Sequence, residues 1–187
     1  MPFRKLGETT AWSGTLVSAG IGTFVDPDGN TFERDVVHHP GAVVVVPVLD
    51  DPAGRTGPEV VLVRQYRAAI DAELLELPAG KRDVTDEPVE VTAHRELEEE
   101  VGMRAGSMEK LAEFYNSPGF CDEHSFVYLA TGLQDAQISA QGVEEQHMTI
   151  EEVPLDDIAS LVASGELVDA KSIIGLALAR EALATGP

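Results

Sequence analysis

Glutamates crowd residues 80–103 of this chain, GKRDVTDEPVEVTAHRELEEEVGM, at spacings that acquire meaning on a helix. Glu87 followed by Pro88 reads as the helix start, since proline is tolerated at the first helical position and a polar residue caps just ahead of it. Gly102 reads as the stop. At about 100° per residue, Glu96, Glu99 and Glu100 fall within an arc of roughly 100°, beside the apolar stripe of Val89, Ala93, Leu97 and Val101, while Glu98 points away. Like charges three and four residues apart cost an isolated helix roughly 0.2–0.5 kcal/mol per pair, and more at the edge of a core, where water screens less. A positive partner is therefore expected. An all-oxygen set suits a hard divalent cation, Mg²⁺ or Mn²⁺, rather than zinc, and such ions bind through a few carboxylates together with substrate phosphates. On the glutamates alone, the solvated acidic face of an ordinary surface helix remains the alternative.

Residue order favours the ion. Gly80, then Glu87, then seven residues to Arg95, Glu96, Leu97, Glu98, Glu99, Glu100, Val101, Gly102 and Met103 resembles the Nudix box. One extra residue separates Gly80 from Glu87; Asp86 keeps the usual distance from Gly80, but only Glu87 keeps the seven-residue gap to Arg95. Within that family the chain looks most like the ADP-ribose pyrophosphatases. Three features carry this: Pro118, fifteen residues beyond Met103 in SPGFCDE; the segment VRQYRAAI ahead of LLELPAG; and an N-terminal hairpin. The resemblance implies hydrolysis of ADP-ribose to AMP and ribose 5-phosphate, with Mg²⁺ (or Mn²⁺) held by Glu96, Glu99, Glu100 and the carbonyl of Ala79. Arg67, with Arg64 second, is implied to face the phosphates. Pro118, Trp12 and Glu123 are implied to contact the rest of the substrate, although a tryptophan packs in cores as readily as it stacks on a base. Arg95 matches the arginine that orients the box glutamates, and the general base is expected from EEQHM, Glu144 first and Glu145 second.

The elements that must position these groups follow from pattern. TLVSAGIGTFV and TFERDVVHH flank the turn DPDGN and read as a hairpin. AVVVVPVL and EVVLVRQY are continuous β-branched runs, as expected of strands buried on both faces, joined by the loop DDPAGRTGP. Downstream, KLAEFYNS, HSFVYLATGL and MTIEEVPL read as strands, QGVEEQHM as a polar loop, and DAKSIIGLALAREALA as a packed helix. Strands interleaved with helices point to an α/β/α sandwich on a mixed sheet, the fold the Nudix resemblance also implies. A small antiparallel β subdomain is expected over residues 1–38, with the hydrolase domain over 39–187. The resemblance gives that subdomain a dimerisation role, and an isolated hairpin needs another surface to cover it. A homodimer is expected.

Composition narrows the partners. Over 187 residues, 33 acidic side chains against 13 basic ones give a formal charge of -20, which argues against nucleic acid but not against a small nucleoside diphosphate arriving with a cation. Cys121 is the only cysteine, so no internal disulfide forms. The start MPFRKLGETT lacks a signal peptide's apolar core and no run is long enough to span a bilayer, so a soluble cytoplasmic protein without membrane association is expected. His38 and His39 are adjacent and face opposite sides of a strand, which favours isolated polar or core histidines over a metal site. Two other functions stay open: pyrophosphate hydrolysis of another nucleoside diphosphate such as an ADP-sugar, GDP-mannose or NADH, and ligand sensing without cleavage.

Overall fold

The structure is a computed structural model that describes residues 1–49, 57–84, 86–138 and 142–185. Most of the expected loop DDPAGRTGP, and the first residue of QGVEEQHM, lie outside them. The chain divides into two compact units, Met1–Gly41 with Phe114–His124, and Ala42–Glu113 with Ser125–Pro187.

The first unit holds three antiparallel strands, β1 (Arg4–Ser13), β2 (Ser18–Val25) and β3 (Thr31–His38), with β2 in the middle. β2 and β3 are the expected hairpin. Its turn is built by Asp26, whose carboxylate accepts the N–H groups of Asp28 and Asn30 at 2.9 and 2.8 Å. β1 was not anticipated, because it is exposed along almost its whole length and shows no apolar alternation. The second piece of the unit runs beside β3: the Val37 N–H donates to the Phe120 carbonyl at 2.7 Å, and the Asp122 N–H donates to the Val37 carbonyl at 3.1 Å.

In the second unit the strands are β4 (Ala42–Leu49), β5 (Glu59–Arg67), β6 (Ala72–Glu76), β7 (Ala79–Lys81), β8 (Met103–Arg104), β9 (Ser107–Tyr115), β10 (His124–Thr131), β11 (Gln134–Asp135) and β12 (Thr149–Pro154). The helices are α1 (Val89–Val101), α2 (Ile158–Ser164) and α3 (Ala170–Thr185). The main sheet runs β12-β5-β4-β10-β9, with β6 paired to β5 and β7 to β4, while β8 and β11 form a separate short ladder. β4 pairs in parallel with β10 and antiparallel with β5 and β7, so the sheet is mixed.

Val43 and Val45 pack with Ala93, Leu97 and Val101 of α1. Val46 and Val127 instead come up against Gly175 of α3. Since alternate residues of a strand face opposite sides, α1 and α3 cover opposite faces, and the α/β/α sandwich is the observed fold. This explains the unbroken burial of β4 from Ala42 to Val48.

α1 ends as expected at Gly102, which is left-handed (φ 66) and donates its N–H to the Glu98 carbonyl. Its start differs from the expectation. Pro88 is the extended residue preceding the helix, and no side chain caps the helix there. Glu87 serves a side chain instead, accepting the Thr92 hydroxyl at 2.7 Å. Burying Leu97 and Val101 supplies roughly 1.5–3 kcal/mol each, against about 0.2–0.5 kcal/mol of repulsion per glutamate pair, so packing holds α1 with its acidic edge turned inward.

Candidate active site

Glu96 and Glu100 are buried on α1, and Glu99 is half-buried. The edge strand β7 meets them. The Ala79 N–H donates to Glu100 Oε2 at 3.0 Å, and a Cβ built on Gly80 would stand 1.7 Å from the Glu96 carboxyl carbon. A side chain at 80 could therefore be admitted only if the Glu96 carboxylate moved from its present place. Arg95 gathers three carboxylates: Nη1 lies 2.8 Å from Glu96 Oε1 and 3.0 Å from Glu99 Oε2, and Nη2 lies 3.4 Å from Glu87 Oε2. Contact with Glu87, not Asp86, shows how the extra residue is absorbed ahead of the helix. Glu98 pairs with Arg104, away from the cluster.

Removal from water pushes the Glu96 carboxyl up to about 7, with Arg95 opposing and Glu99 reinforcing the shift. Glu100 is pushed up to about 8, again mainly by burial, with Glu96 and Glu145 adding to it and the Ala79 N–H and Arg67 opposing. Among the described residues no three His, Cys, Asp or Glu side chains are grouped to hold an ion; Arg95 and the Ala79 N–H occupy carboxylate oxygens instead. The donor chemistry nonetheless fits a hard divalent cation, because the set is all oxygen and its two innermost members are buried with too little positive charge.

Two candidate arginines lie on β5, and both are paired. Arg64 donates to Glu151 on β12 and to Glu166, each at 2.7 Å, which ties three segments together. Arg67 makes a two-pronged contact with Glu76 of β6, through Nε at 2.8 Å and through Nη2. Glu100 and Asp169 also lie within electrostatic reach of Arg67, so of the two arginines it is the one beside the acidic cluster. Glu76, almost wholly buried, was missed by sequence reasoning; its signal was the β5–β6 register, which puts it on the face shared with Arg67. On that face Gln65 is 4% exposed and its Nε2 finds no partner among the described residues.

Glu144 and Glu145 fall at a single 3-10 turn, Glu145–His147. Glu144 is exposed, whereas Glu145 is half-buried, accepts the Gly142 N–H at 3.0 Å and acts electrostatically on both Glu96 and Glu100. The structure therefore brings the second choice of base, not the first, toward the cluster. Pro118, Glu123 and Trp12 belong to the other unit. Pro118 is exposed on its loop, the Glu123 carbonyl accepts the Asn116 N–H, and Trp12 is 56% exposed, so it is not the core residue it might equally have been.

A NUDIX domain model matches residues 38–174. The chain is 36% identical to the ADP-ribose pyrophosphatase of Bacillus subtilis over 90% of its own length and 88% of that protein. It is 38% identical to the ADP-ribose pyrophosphatase of Mycobacterium tuberculosis over 98% and 86%. Its fold superposes on a crystal structure of an ADP compounds hydrolase with a TM-score of 0.83 at 22% identity, covering 99% of this chain and 96% of that one. With a complete glutamate box on a helix packed under a mixed sheet, the chain belongs to the Nudix hydrolase family.

Proposed function

We propose that this enzyme hydrolyses the pyrophosphate of ADP-ribose to AMP and ribose 5-phosphate, using Mg²⁺ or Mn²⁺ held by Glu96, Glu99, Glu100 and the Ala79 carbonyl. The observation that carries the reading is the pair of buried carboxylates with raised pKa values, Glu96 and Glu100, the second of them within electrostatic reach of Arg67. The two ADP-ribose pyrophosphatases at 36% and 38% identity support the choice of substrate. Bound there, the cation supplies charge withdrawal from the pyrophosphate and acidifies water.

The chain's own residues do the rest. Arg67, held by Glu76, presents a fixed positive charge to the phosphates. Arg95 keeps Glu96 and Glu99 aligned along α1. Glu145 takes the proton of the attacking water, ahead of Glu144. Arg64 serves the fold through Glu151 and Glu166. Pro118, Trp12 and Glu123 recognise the nucleoside part, and the three-stranded sheet of the first unit joins two copies into a homodimer.

A hydrolysis screen with Mg²⁺ and with Mn²⁺ tests this. ADP-ribose should give a higher kcat/KM than ADP-glucose, GDP-mannose, NADH or any nucleoside triphosphate, with AMP and ribose 5-phosphate as products. A tenfold preference for another compound would overturn the substrate and leave the family intact. Sedimentation of the same preparation should show a dimer; a fully active monomer would remove the dimer from the reading.

A further inference from the structure

The loop that carries Pro118 and Glu123 buries little: Pro118, Gly119, Phe120 and Asp122 are all exposed. Its position within the first unit therefore depends on polar contacts rather than packing. Some are backbone bonds to Val37, already described. The others converge on the next residue, His38. Its Nδ1 lies 2.6 Å from Asp122 Oδ2 and its Nε2 lies 2.7 Å from Glu8 Oε1. The second oxygen of Asp122 accepts the His39 N–H at 2.8 Å. One imidazole thus bridges β1, the end of β3 and the loop.

We propose that His38 is a positioning residue for substrate recognition, a doubly charged-paired clasp that sets the Pro118–Glu123 loop against β1 and β3. The role rests on the assignment of that loop to the nucleoside made above. Only the protonated ring can serve both carboxylates, because a neutral imidazole has a single N–H and must release one of them. Hydrogen bonds donated to Asp122 and then to Glu8 raise the pKa of His38, so the clasp stays closed to a higher pH than an ordinary imidazole allows and opens as pH rises through the raised value. Among the described residues, Asp122 and Glu8 are the charges that act most on it. β1 contributes Glu8 with its partner Lys5, the loop contributes Asp122, and β2 sets the uncharged Ser18 opposite His38. The partners are partly exposed and water screens such pairs, so opening the clasp should change affinity about three- to fivefold rather than abolish it.

The test combines kinetics with two measurements that need no substrate. In the parent, KM for ADP-ribose should rise about three- to fivefold through one inflection at the raised pKa of His38 while kcat follows an unrelated profile. His38→Gln should show the raised KM at every pH without that inflection, and Asp122→Asn should lower the inflection. By nitrogen NMR the His38 ring of the parent should keep protons on both nitrogens to a higher pH than an ordinary imidazole. Amide exchange at Val37 and Asp122 should quicken in His38→Gln while exchange in β4 does not change. A His38 ring that loses its proton at or below the ordinary histidine value, or unchanged loop exchange in His38→Gln, overturns the clasp. A KM that ignores both pH and substitution while the loop loosens overturns the positioning role. If the parent does not cleave ADP-ribose at all, the substrate assignment fails, and the ring and exchange data still decide the clasp.

Discussion

Glu100 meets the least water of the box carboxylates and is pushed up to about 8, a cost the fold bears at a group proposed to hold the cation. Removing its charge should relieve the fold and disable the chemistry. Glu100→Gln is expected to melt no lower than the parent in chelator and to lose turnover by orders of magnitude; a low-melting variant that keeps turnover per folded molecule would make the carboxylate structural. Glu145→Gln should lose about 10² to 10⁴ in turnover with cation affinity little changed, and Glu144→Gln should stay within about threefold. The reverse order in steady-state rates would return the base to Glu144. The box residues were legible because helical spacing puts Glu96, Glu99 and Glu100 on one arc and Glu98 off it. His38 was not, since its partners Glu8 and Asp122 lie 30 and 84 residues away and no local pattern links them.

Among the elements, β7 is only three residues long, yet it bears on where the Glu96 carboxylate can lie, because Gly80 leaves the room that carboxylate fills. Gly80→Ala should force Glu96 out of that place. The expected result is a folded protein with turnover and cation affinity both strongly reduced, read by titration calorimetry alongside circular dichroism; full cation affinity would show that β7 yields instead. Element types were largely legible where physics is local. The continuous valine runs of β4 and β5 announce strands buried on both sides, and Gly102 announces a helix end. β1 escaped because an exposed strand has no apolar face to read, and the Pro88 position escaped because proline suits the residue before a helix and its first residue alike.

For the molecule as a whole, the shifted groups set an unusual pH of greatest stability. Glu96 and Glu100 are raised, so as pH climbs the unfolded chain releases these protons first and stability falls up to about pH 8. His38 is also raised, and its contribution is complete below the ordinary histidine value and lost as pH rises through the shifted one. Asp122, Asp169 and Glu87 are lowered, so their contributions are present above the ordinary carboxylate value and lost in acid. Calorimetry in chelator should therefore give a maximum Tm near about pH 5, with a decline toward pH 8 that saturating Mg²⁺ reverses. A chelated protein most stable at pH 8 would mean that Glu96 and Glu100 are not held near neutrality by the fold.

β4 pairs through Val43 and Val44 with Gly80 and Ala79, and packs Val43 and Val45 under α1. The strand carries none of the box carboxylates, but β7 pairs with it and α1 packs on it. The consequence is mechanical: a substitution that shifts the valines of β4 would carry Ala79, Gly80 and α1 with it, so the box can be disturbed from a strand that has no chemistry of its own.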